Sequence, residues 1–139
     1  MKINELRVGN TVMCQCRGEY KPHTIKSIWY NDEEKLYYVE LDNGFPCNVG
    51  GISPIPLTKE FFERNGFILQ EDLDYYGHYF TSKDLRMGAY ESSNGWVVRI
   101  DDKEFSTAFC RCLKYVHELQ NAYYISIGEE IDDVRQTQI

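Results

Sequence analysis

No run in this chain approaches the ~20 consecutive apolar residues that a membrane-spanning helix needs. Its opening, M-K-I-N-E-L-R-V-G-N, holds no apolar signal core and reads as folded sequence. Both absences lead to the expectation of a cytoplasmic protein with no membrane partner. Positive charge is scarce: 15 Lys and Arg stand against 22 Asp and Glu, a net charge of −7. Broad binding to nucleic-acid phosphates depends on clustered cations and is disfavoured. A cationic protein surface is the better electrostatic match. Catalytic signatures are missing as well: there is no Gly-x-Ser-x-Gly, P-loop, His-Glu-x-x-His or dinucleotide-binding glycine fingerprint. The expectation is therefore no enzyme and no cofactor, although a cysteine nucleophile served by a distant histidine leaves no local signature.

Cysteine is odd in number: Cys14, Cys16, Cys47, Cys110 and Cys112. Without a secretory signal, an odd count points to reduced thiols. Two Cys-x-Cys pairs, Cys14/Cys16 and Cys110/Cys112, raise a zinc alternative, because residues two apart on a strand share a face and four thiolates suit tetrahedral zinc. One intervening residue is shorter than the usual ligand spacing. Buried reduced thiols, with no bound metal, are the favoured reading.

What is abundant is tyrosine, eleven residues within an aromatic content of 14%. Tyrosine suits half-buried strands, where the ring packs and the hydroxyl stays wet. It also suits contact surfaces. Short strand-like segments joined by tight turns fill the first third: Thr11 to Cys16, His23 to Tyr30, Leu36 to Leu41 and Phe45 to Val49, with Asp42-Asn43-Gly44 as the clearest hairpin turn. This spacing predicts a small SH3-like or Tudor-like antiparallel, barrel-like unit over residues 1–56. Ile52 to Leu57, with two prolines at alternate positions, cannot be helical and reads as a connector.

Residues 57–139 read as helix, antiparallel meander, long helix. Thr58 caps a short helix that ends at Gly66, with Leu57 and Phe62 placed as a hydrophobic staple. Strand candidates follow at Phe67 to Gln70, Tyr75 to Ser82, Leu85 to Glu91, Trp96 to Ile100 and Glu104 to Phe109. The closing helix is expected over Cys110 to Gly128, where Cys112, Val116, Leu119, Tyr123 and Ile127 recur at helical spacing. The predicted fold class is α+β.

Three segments in order, K-I-N-E-L-R-V-G-N from Lys2, I-S-P-I-P-L-T from Ile52 and K-Y-V-H-E-L-Q-N-A-Y-Y from Lys114, are followed by Gly128-Glu129-Glu130. Together they resemble a family of small uncharacterised proteins of phages, prophages and mobile elements in gut-type bacteria. The resemblance spans nearly the whole chain. It implies an accessory protein of the bacterial cytoplasm. It brings no catalytic residues.

Such accessory proteins often act by binding, so the function expected here is non-enzymatic capture of a protein partner, a host factor, with inhibition of host defence as one form of it. The surface expected to do so comprises Tyr75, Tyr76, Tyr79, Trp96, Glu129 and Glu130, where large amphipathic rings lie near carboxylates. The alternative is a nucleic-acid-associated regulatory module that uses Arg17, Lys21 and Lys26 on the N-terminal unit as a local basic patch.

Overall fold

The computed structural model describes residues 1–16, 18–71, 78–104 and 106–131; at Cys16 only the backbone is described. The chain divides into two units, Met1–Ile55 and Pro56–Ile139. The class is α+β, with two five-stranded antiparallel sheets and two α-helices among the described residues.

In the first unit, β1 (Thr11–Cys16), β2 (Glu19–Asn31), β3 (Leu36–Leu41), β4 (Pro46–Asn48) and β5 (Ile52–Ser53) form one sheet in the order β4-β3-β2-β1-β5. The long β2 serves both halves. It pairs β1 from Glu19 to Thr24, then β3 from Ile25 to Asn31. Its register shifts between Ile25 and Ser27, where Lys26 is the extra residue. Such a bulge bends the strand and increases its twist. The curl brings Val12, Cys14, Ile25, Val39, Leu41 and Ile52 into one buried cluster, with Met1, Leu6, Ile28, Cys47 and Val49 packed against it. The barrel-like closure that the strand spacing predicts does not form: β4 and β5 remain the two edges of an open sheet. Strands of three and two residues carry too few backbone donors and acceptors to close the ladder.

The second unit holds α1 (Lys59–Arg64), β6 (Ile68–Leu69), β7 (Tyr79–Thr81), β8 (Met87–Ser92), β9 (Gly95–Asp101), β10 (Thr107–Leu113) and α2 (Val116–Ile127), with sheet order β10-β9-β8-β7-β6. The Thr58 hydroxyl accepts from the Phe61 N–H at 3.1 Å and caps α1. Leu57 and Phe62, the staple pair, are both buried. Phe62 is the hub of the core: its ring lies 5.1 Å from Phe67, 5.6 Å from Phe80 and 4.6 Å from Trp96. Along β9, Trp96, Val98 and Ile100 alternate inward. The α2 helix covers β9 and β10 with Val116, Leu119 and Ala122 buried, together with the polar His117 and Gln120.

Two expectations need correction here. The closing helix starts at Val116 rather than at Cys110, because residues 107–113 continue the sheet as β10 in register with β9. Backbone pairing explains the boundary. The Leu57 N–H donates to the Lys114 carbonyl at 2.8 Å, and Pro56 bridges to Tyr115, so the segment stays extended until Tyr115. The stretch Ile52 to Leu57 is likewise more than a connector. Its first two residues are an edge strand of the first sheet, and its last two pair with residues 114–115 of the second unit.

Candidate functional site

The β2–β3 hairpin carries aromatic residues on both sides of an acidic turn: Trp29 and Tyr30 lead into it, and Leu36, Tyr37 and Tyr38 lead out. Asn31 shapes the turn locally. Its Oδ1 accepts from the N–H groups of Glu33 and Glu34 at 3.0 and 3.1 Å, and Lys35 takes a left-handed φ of 55°. The register then sets Trp29 opposite Tyr38 and Tyr30 opposite Tyr37. Trp29 and Tyr38 stack with ring centroids 5.8 Å apart, and Tyr30 and Tyr37 meet at 4.9 Å with tilted planes. Because faces alternate along a strand, Tyr30 and Tyr37 extend the row of Ile28 and Val39 past the core, while Trp29 and Tyr38 occupy the other face.

Here the apolar surface outruns its cover. Trp29 is 38% exposed, Tyr30 45%, Leu36 46% and Tyr37 42%. The uncovered side chains are split between the two faces of the hairpin, Tyr30 and Tyr37 on one and Trp29 and Leu36 on the other. Exposed apolar surface gathered at one hairpin is of the kind that marks contact sites. Between Lys26 and Glu40 the hairpin holds four carboxylates (Asp32, Glu33, Glu34, Glu40) against two lysines (Lys26, Lys35), so its field is negative. The Tyr38 hydroxyl donates to the Glu34 carboxylate. That bond, helped by the nearby negative charge, raises the Tyr38 phenol above its ordinary value.

The residues singled out from sequence scatter differently. Tyr75 and Tyr76 lie outside the described residues. Tyr79 is half-buried on β7, 6.5 Å from the exposed ring of Tyr90. Gly88 leaves that ring room, since a Cβ there would lie 2.9 Å from the Tyr79 hydroxyl. Trp96 is a core residue and not a surface anchor: it is 4% exposed, packs on Phe62 and Phe80, and donates from Nε1 to the Leu57 carbonyl at 3.1 Å. Glu129 is exposed, 4.0 Å from Lys103 Nζ, and Glu130 is half-buried. Of the basic residues, Arg17 lies outside the described residues, Lys26 is exposed at the bulge, and Lys21 Nζ sits 2.5 Å from Glu19 Oε2. That hydrogen bond and charge hold the Glu19 carboxyl below its ordinary range.

The cysteine pairs belong to different units. Cys14 is buried on β1 and meets Cys47 of β4, with the two sulfurs 3.3 Å apart; the side chain of Cys16 is not described. Cys110 and Cys112 are exposed on β10, and the Cys112 thiol donates to the Asn94 carbonyl. Among the described residues no group of three or more His, Cys, Asp or Glu gathers to hold a metal. His23 and His78 are each engaged with a carboxylate at 2.8 Å, Asp42 and Glu91 respectively, while His117 is buried with its ring parallel to that of Tyr115.

No protein-family model, curated protein or solved structure matches the chain. Among the described residues, no helix is long and apolar enough to cross a membrane. The hairpin surface escaped sequence reasoning because Trp29, Tyr30, Tyr37 and Tyr38 read as ordinary strand residues. The available signal was the pairing of two aromatics on each side of an acidic turn.

Proposed function

We propose that this chain is a non-enzymatic accessory protein of the phage and mobile-element type, working in the bacterial cytoplasm by binding a host protein and blocking its action. The observation that carries the reading is the uncovered β2–β3 hairpin, with Trp29, Tyr30, Leu36 and Tyr37 exposed beside a turn rich in carboxylates. Aromatic anchors give large contact areas at low entropic cost, and a negative rim steers a basic partner toward them. The strand order, the shared and bulged β2, and the 3-10 turn at Val49–Gly51 before β5 support reading the first unit as an SH3-like partial barrel. Folds of this kind are hosts for many functions, so the surface carries the argument and the fold does not.

Capture from host lysate tests the proposal, with the wild-type chain compared with Trp29→Ala and Tyr37→Ala. Loss of the same captured protein from both variants, with unchanged melting curves, is the expected outcome. Capture that survives both substitutions would remove the hairpin from the reading. A labelled nucleic acid titrated at two salt concentrations addresses the alternative: binding that weakens steeply with salt and with Lys26→Ala would favour the nucleic-acid module.

A further inference from the structure

The contact between Cys14 and Cys47 has no counterpart in the binding function. Cys14 lies on β1 and Cys47 on β4, strands separated in the sheet by β2 and β3. Their sulfurs therefore meet across the interior of the curled sheet rather than along a ladder, at 3.3 Å. Cys14 is fully buried in the core cluster, while Cys47 is half-buried on an edge strand and within reach of solvent. The chain leaves space for the second sulfur: a Cβ at Gly51 would lie 2.8 Å from Cys47 Sγ. We propose that Cys14 and Cys47 are an oxidisable dithiol, a modification site that a low-molecular-weight disulfide converts to an intramolecular disulfide.

The chemistry follows from the unequal access of the two sulfurs. The Cys47 thiolate attacks one sulfur of the incoming disulfide, forming a mixed disulfide and releasing one thiolate. The Cys14 thiolate then attacks the Cys47 sulfur and expels the second thiolate. The protein loses two hydrogens and two electrons, and the oxidant is reduced to two thiols. A disulfide bond is about 2.05 Å long, so the sulfurs must close by about 1.2 Å. The product would tie β1 to the edge strand β4, holding together the curl that backbone pairing leaves open.

The test uses a chain carrying Cys16→Ser, Cys110→Ser and Cys112→Ser, confirmed folded by circular dichroism, so that only Cys14 and Cys47 can react. It is equilibrated in graded mixtures of reduced and oxidised glutathione, once in native buffer and once in urea, then acid-quenched, alkylated and mapped by mass spectrometry. The expected native product is a Cys14–Cys47 cross-linked peptide without a retained glutathione adduct. It should form at an oxidised-to-reduced ratio at least about tenfold lower than in urea, since native contact raises the effective concentration of the second thiol. The native disulfide should also raise the melting temperature by roughly 5–10 °C. A lasting glutathione adduct on Cys47 with Cys14 still alkylatable would overturn the proposal. So would equal glutathione ratios in buffer and urea. The wild-type chain, mapped under the same native conditions, must show the same cross-link, which rules out an artefact of the serine substitutions.

Discussion

Each unit concentrates aromatic residues, and the two use them in opposite ways. In the second unit Phe62, Phe67, Phe80 and Trp96 turn inward and make the core, each ring within 6 Å of another. In the first unit Trp29, Tyr30 and Tyr37 pair across a hairpin and stay open to solvent, while the core is made of Val12, Cys14, Ile25, Val39, Leu41 and Ile52. The difference lies in the cover. The second sheet has α2 packed on β9 and β10, and Phe61 and Phe62 of α1 are buried. The first unit has no α-helix among its described residues, so the hairpin runs past the small core with nothing from its own unit laid over its tip. Similar residues thus hold one unit together and leave the other with a surface to fill.

The strongest way to break this contrast is at Phe62. Replacing it with alanine should cost about 3–5 kcal/mol, because it removes the ring on which three others pack. Urea unfolding followed by the fluorescence of Trp96 would measure the loss. Leu119→Ala, on the fully buried face of α2, should cost about 2–5 kcal/mol; a loss below about 1 kcal/mol would mean that α2 covers the sheet with another face.

At the hairpin the expected pattern reverses. Trp29→Ala and Tyr37→Ala should each shift stability by no more than about 1 kcal/mol, the scale of one cross-strand pair. Their effect should fall on partner capture. If either variant unfolded as severely as Phe62→Ala, that ring would belong to the core and the contrast would fail.

The smallest effect concerns Tyr38. Its phenol is raised by the hydrogen bond to Glu34, so the proton is held more tightly in the folded chain than in the unfolded one. The contribution of that bond is present below the ordinary phenol range, near pH ~10, and is lost as pH rises through the folded value. Glu34→Ala should return the Tyr38 titration toward the ordinary value, as followed by NMR of its ring through the alkaline range. An unchanged titration would separate Tyr38 from the carboxylate.

Local order is legible in this chain wherever it depends on neighbours a few residues away. The bounds of β1 and β3, the turn at Gly44, the Thr58 cap and the helix ends at Gly66 and Gly128 all agree with sequence reasoning. A positive φ or a capping hydroxyl is a short-range requirement that few residue types meet. Other features depend on partners far along the chain. Residues 110–113 fit a helical stripe and a strand equally well until β9 claims them and Leu57 pairs with Lys114. Trp96 reads as a contact residue until Phe62 and Phe80 close over it. Cys14 meets Cys47 across 33 positions only because β2 bends at its bulge and curls the sheet. Burial is a property of what lies on top of a residue, and strand register together with helix cover decides it.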